Sequence, residues 1–245
     1  MTVVNDSRAR FAGLGIVVTG AAGGIGRAVC RAFADEGGRV VGMDLHGADL
    51  TVDVADAEAV GAAVTEAHRR LGRIDVLVTL AGGSLGTPRD TGDITPADVD
   101  LVLDVNVKGT YHACAAALPF LTATGGCIVT CGSIGGRQPS PVTGVPYAAA
   151  KAAVGGLTRR LAATVGPDGV RVNAVAPGLF PTPRVAAMFD ALPANEREAV
   201  IAAIPLRRMP ELSELVAPIL FLASRDAAYI TGVTLDVNGG RHMPP

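Results

Sequence analysis

The chain has no tryptophan and few other aromatics, with 6 Phe and 3 Tyr among 245 residues. That leaves little with which to stack nucleic-acid bases. Charged residues are also scarce, at 18% against the usual quarter. They sum to −2, so no basic face for a polynucleotide is implied. Lysine is the scarcest charge: of 21 basic residues, 19 are Arg and only Lys108 and Lys151 are Lys. A well-placed lysine is therefore informative. No apolar run reaches the ~18 residues of a membrane span. The opening Met1-Thr2-Val3-Val4-Asn5-Asp6-Ser7 carries charge without a secretory pattern, and its sequon at 5–7 comes with no other sign of export. A cytoplasmic protein is expected. The 4 cysteines, Cys30, Cys114, Cys127 and Cys131, form no CxxC pair and read as small buried residues. The 4 histidines, at 46, 68, 112 and 242, lack ligand spacing, so no metal is expected.

The chain is rich in apolar residues (49%) and in glycine (31 residues). Its length suits one α/β domain. Short β-branched runs alternate with helical patterns. Strands are read at Ile16–Val18, Arg39–Met43, Leu50–Val52, Ile74–Val78, Cys127–Thr130, Val170–Val175 and Thr234–Val237. Helices are read at 24–36, 56–71, 98–121, 147–165 and 211–223. Continuous apolar strands separated by helices predict a Rossmann-type doubly wound parallel sheet covered on both faces. Nothing divides the chain, so residues 1–245 are read as a single nucleotide-binding domain. One interruption, about 181–210, holds five prolines (181, 183, 193, 205 and 210) around a short helical stretch at 185–192. It follows the sixth strand, at the end of the sheet where ligands bind in open α/β folds.

Three sites carry chemistry. Thr19-Gly20-Ala21-Ala22-Gly23-Gly24-Ile25-Gly26 follows the first strand and opens the first helix. There glycines admit a pyrophosphate to the backbone, and the helix offers free N–H groups. Asp44, 24 residues after Gly20 at the end of the second strand, can accept from ribose hydroxyls and would repel a 2′-phosphate. Neither Gly23 nor Leu45 supplies a base to offset that repulsion, so the cofactor is read as NAD. Tyr147 and Lys151 stand at i and i+4 of one helix. A cation beside a phenol favours the phenolate and makes it a plausible acid/base near neutral pH.

Together these sites resemble the short-chain dehydrogenase/reductase family, in its short single-domain branch, over nearly the whole chain. Thr19, Gly20, Gly24 and Gly26 match its TGxxxGxG turn. The resemblance implies a catalytic tetrad of Asn106, Ser133, Tyr147 and Lys151. It implies that Ile25, Asp53, Val54, Ala81, Gly82, Pro177, Gly178 and Thr182 join Gly20, Gly24, Gly26 and Asp44 in holding NAD. Tyr147 would exchange the alcohol proton, Ser133 would bond the substrate oxygen, Lys151 would also hold the nicotinamide ribose, and Asn106 would hold a water joining Lys151 to solvent. It further implies a homo-oligomer, a tetramer favoured over a dimer, acting on a small molecule, with no nucleic-acid or membrane partner. A 3-oxoacyl-carrier-protein reductase-like enzyme and a catalytically inactive NAD-binding regulator are the alternatives.

Three departures from the family pattern stand out. Leu80-Ala81-Gly82 replaces the usual Asn-Ala-Gly. The stretch from Asp44 to Asp53 is short. Ser133 and Tyr147 are 14 apart, one more than is commonest. The substrate pocket is expected to be mainly apolar, walled by 83–85, 138–146 and a lid at 181–210 that presents Met188, Phe189 and Leu192. Arg137 and Arg184 are the residues that could turn inward to an anion.

Overall fold

The computed structural model describes residues 9–140 and 142–244, apart from the side chains of Arg184 and Met188. The sequon at 5–7 and those two side chains lie outside the described residues. Seven parallel strands form one sheet: β1 (Gly15–Thr19), β2 (Arg39–Asp44), β3 (Leu50–Thr51), β4 (Val76–Thr79), β5 (Cys127–Cys131), β6 (Arg171–Pro177) and β7 (Thr234–Val237). Their order is β3-β2-β1-β4-β5-β6-β7. β1 and β4 are buried along their whole length, as apolar strands covered on both faces must be. The chain winds outward from β1 to β3 and then returns to β4 to wind the other way. The loops leaving β1 and β4 therefore diverge and open a crevice at that reversal. The two central strands are joined at their base by Asp75, whose Oδ2 accepts from the Gly15 N–H at 2.8 Å and whose carboxylate is forked by Arg73 at 2.5 and 2.7 Å.

Helices cover both faces. On one side α2 (Ala57–Leu71) packs against α4 (Gly109–Thr124), over a core that includes Val17, Leu77, Cys114 and Ile128. On the other, α1 (Gly24–Asp35) packs against α8 (Ser213–Ala223), over Val18, Val78, Val129 and Ile219. Local chemistry sets the ends. The Asp56 carboxylate accepts from the Glu58 and Ala59 N–H groups to start α2, and Gly72, at φ 75°, ends it. Thr95 and Asp98 form a capping box at the head of α3 (Pro96–Leu103). α5 (Val145–Val165) packs on β6 and β5. No helix among the described residues is long and apolar enough to cross a membrane.

The expected single helix over 98–121 is interrupted. Between α3 and α4 the residues Asp104–Lys108 form a π-helical turn, the kind of widening that often marks functional sites. Its cause is visible on both sides. The Asn106 side chain turns inward to the backbone of Gly83. Gly109 sits so close to Val54 that a Cβ there would stand 2.6 Å from Val54 Cγ2. The expected short helix at 185–192 is present as α6 (Pro183–Asp190), and a second helix that the sequence did not reveal, α7 (Ala194–Ala202), follows it after Pro193.

Candidate active site

The glycine turn follows β1 because only glycine fits there. Gly20 has φ +71°, and a Cβ on it would stand 2.5 Å from Ala81 N. On Gly26 a Cβ would stand 2.1 Å from the Gly20 carbonyl oxygen. α1 starts at Gly24 with no side-chain cap and no acidic residue in its first turn. Its first N–H groups and positive end are left for an anion. They face a cavity of about 550 Å³ at the strand reversal. Gly20, Gly24, Ile25, Gly26, Asp44, Asp53, Val54, Ala81, Gly82 and Thr182 all line it. Thr182 and Pro183, which open α6, lie 3.3 Å from the place of a Gly24 Cβ, so the insertion begins directly over the turn. Asp44 is held by the Ala22 and Leu45 N–H groups at 2.9 and 2.7 Å. A carboxylate keeps further lone pairs after two such bonds. Asp53 Oδ1 accepts from Ala55 N at 2.9 Å.

Toward β4 and β5 stands the second group. One turn of α5 separates Tyr147 from Lys151, whose Nζ lies 5.7 Å from the Tyr147 ring centroid. Lys151 is 6% exposed and donates to the Cys131 carbonyl at 2.9 Å. Its Nζ also lies 3.5 Å from the place of a Gly82 Cβ, at a glycine with φ +140°, so the ammonium looks across Gly82 toward the cavity. Ser133 follows β5 in extended conformation, and its Oγ accepts from Gly135 N at 3.1 Å. That bond occupies a lone pair and leaves the serine proton free to be donated. Burial raises the pKa of the Cys131 thiol, and the Lys151 charge opposes it.

Several of the expected residues have other partners in this structure. Asn106 is fully buried, and its amide is committed to backbone: Oδ1 accepts from Gly83 N, and Nδ2 donates to the carbonyls of Gly83 and Val102, each at 2.9 Å. Its side chain therefore positions the Gly83 backbone. Arg137 lines a small cleft with Ser133 and Lys151 and is ion-paired there. Its Nε lies 3.2 Å from Asp236 Oδ1 on β7, a carboxylate near enough to claim it. Pro177 and Gly178 stand apart from the nucleotide cavity. Gly178 N donates to Val237 O at 2.9 Å, and Gly178 lines a separate cavity of about 270 Å³ with Phe180, Ile204 and Leu206. The cleft of Arg137, of about 210 Å³, is also lined by Arg159 and Thr234.

Leu80 packs among the apolar side chains beneath the site and also lines the nucleotide cavity. Sequence reading missed Leu101 and Val105, which line the cavity from the helix preceding Asn106. Their i, i+4 spacing was the available signal. Leu85, expected in the substrate wall, lines this cavity too, at φ 55°.

A family model described as enoyl-(acyl carrier protein) reductase matches residues 20–242. L-fucose dehydrogenase of Oryctolagus cuniculus is 38% identical, over 97% of this chain and 88% of that protein. The NAD(+) enzyme 2-dehydro-3-deoxy-L-rhamnonate dehydrogenase of a Sphingomonas species is 31% identical, over 95% and 96%. The crystal structure of levodione reductase superposes with a TM-score of 0.88 at 31% identity, covering 94% of this chain and 98% of that one.

Proposed function

The chain belongs to the short-chain dehydrogenase/reductase family, and from that premise we propose an NAD(H)-dependent oxidoreductase that interconverts a secondary alcohol and a ketone on a small, mainly apolar or cyclic substrate. The observation that carries this reading is the buried Lys151 one turn from Tyr147, its Nζ 3.5 Å from the place of a Cβ on Gly82, which lines the glycine-cradled cavity. The cavity suits a nicotinamide dinucleotide. Its glycines leave no room for side chains where a pyrophosphate would lie, the head of α1 is uncapped, and Asp44 presents a carboxylate. Bound there, the dinucleotide would supply a two-electron acceptor or donor. Gly20, Gly24, Ile25 and Gly26 would hold its phosphates, Asp44 the adenosine ribose, Asp53 and Val54 the adenine side, and Ala81, Gly82, Tyr147 and Lys151 its nicotinamide end. Thr182 would complete that end as the insertion closes.

In the oxidative direction the Tyr147 phenolate accepts the alcohol proton, and in reduction the phenol returns it. The Lys151 ammonium stands one helical turn from that phenol, its Nζ 5.7 Å from the ring centroid. Ser133 donates its proton to the substrate oxygen and stabilises charge developing there. Asn106 fixes the Gly82–Gly83 backbone against Lys151. Residues 181–210 act as the lid of a single nucleotide-binding domain. The substrates for which two relatives are named, L-fucose and 2-dehydro-3-deoxy-L-rhamnonate, support a small oxygenated molecule, whereas the match to the enoyl-(acyl carrier protein) reductase model favours acyl thioesters as the second reading.

A panel of secondary alcohols, cyclic diols, L-fucose and 3-hydroxyacyl thioesters, assayed with NAD+ and NADP+, separates the two. Turnover is expected with NAD+ and an alcohol outside the thioester group. Tyr147→Phe should cut kcat by at least ~100-fold while NAD+ still binds, and Lys151→Ala should also weaken that binding. Turnover of wild-type size in Tyr147→Phe would refute the mechanism.

A further inference from the structure

Among the described residues, three buried polar side-chain atoms lack a hydrogen-bond partner: Thr79 Oγ1, Arg137 Nε and Thr143 Oγ1. Arg137 has its ion pair with Asp236, and Thr79 lies within β4. Thr143 is different, because it belongs to the segment joining Ser133 to Tyr147 and shares a neighbour, Gly135, with Ser133. The place a Cβ on Gly135 would occupy is 3.4 Å from Thr143 Oγ1 and 3.5 Å from Ser133 Oγ. The two hydroxyls thus border one small gap whose floor is Gly135, the residue whose N–H already bonds Ser133 Oγ.

A serine hydroxyl has one proton and two lone pairs. Gly135 fills one lone pair. With the other empty, the serine proton can turn to any nearby acceptor. A second donor on Oγ removes that freedom, aims the proton at the substrate oxygen, and polarises the O–H bond through the chain of hydrogen bonds. A buried hydroxyl with no partner is rare in native proteins and calls for an explanation. Thr143 is placed to be that second donor.

We propose that Thr143 is a positioning residue for Ser133, its O–H turning across the gap above Gly135 to donate to Ser133 Oγ when substrate is bound. This rests on the reading of Ser133 as donor to the substrate oxygen. The test uses NAD+ and whichever alcohol of the panel has the highest kcat/KM. Thr143→Val keeps the shape and removes the hydroxyl; it should lower kcat by ~3- to 30-fold, less than the loss of a direct oxyanion donor, with KM changed by less than about twofold. Thr143→Ser should restore kcat to within about twofold. In a Ser133→Ala background, Thr143→Val should cost nothing further, because the group it positions is gone. A merely structural role would lower the melting temperature and cut kcat equally in both backgrounds. That additivity, or an unchanged kcat in Thr143→Val, would overturn the proposal while leaving the role of Ser133 intact. A Ser133→Ala enzyme of wild-type activity would instead overturn the underlying reading, and this inference with it. Should Thr143→Val not fold, Thr143→Ala serves in the same cycle with the same outcomes.

Discussion

Asn106 carries two kinds of importance that mutation can separate. Its amide satisfies both the N–H and the carbonyl of Gly83 and the carbonyl of Val102, all in the protein interior. Asn106→Ala leaves these groups buried and unmet, at about 1–3 kcal/mol for each lost partner. Urea unfolding should therefore show a loss of about 3 kcal/mol or more, and an unchanged midpoint would contradict the assignment. Asp44 acts through charge. A 2′-phosphate set against its carboxylate is repelled, so kcat/KM should favour NAD+ over NADP+ by ~100-fold or more. Asp44→Ala should narrow that gap, and a wild-type preference for NADP+ would reverse the cofactor assignment.

The glycine turn and α2 show how much an added methyl depends on where a glycine stands in its element. On Gly26 a Cβ would meet the Gly20 carbonyl oxygen at 2.1 Å, and backbone on both sides cannot yield. Gly26→Ala should lower the melting temperature and abolish NAD+ binding by calorimetry. On Gly61, in the middle of α2, a Cβ would meet nothing within 4 Å. There the same change should stabilise by about 0.5–1 kcal/mol, the gain in helix propensity alone. The strands and most helices were legible because apolar runs, caps and glycine stops mark them. Tyr147 and Lys151 were legible because helical spacing is fixed. The π-helical turn at 104–108 was not, because it answers to Gly83 and Val54, residues distant in sequence, and carries no proline or glycine of its own to announce it. α7 was hidden for the opposite reason: only Val200 is buried along it, so it lacks the apolar stripe by which helices are read. Arg137 could not be assigned from sequence, since its partner Asp236 is 99 residues away (236 − 137).

The chain as a whole presents apolar groups that a lone subunit would leave wet. Leu101, Tyr111 and Val145, from α3, α4 and α5, are each exposed by 45% or more, and β7 is an open edge of the sheet. A homotetramer of dihedral symmetry is the expected assembly, and light scattering should return about four times the 24.7 kDa chain mass; a single-chain mass at micromolar concentration would contradict it. One further consequence follows from the unequal burial of the two lysines. Lys108 keeps 64% of its side chain in solvent beside Asp104, whereas Lys151 is closed in between α5 and the end of β5. An acylating reagent should therefore label Lys108 promptly and reach Lys151 only through the cleft and cavity it faces. Occupation of the cavity by NAD+ should then slow the acylation of Lys151 and leave that of Lys108 unchanged, a contrast read by mass spectrometry from two peptides.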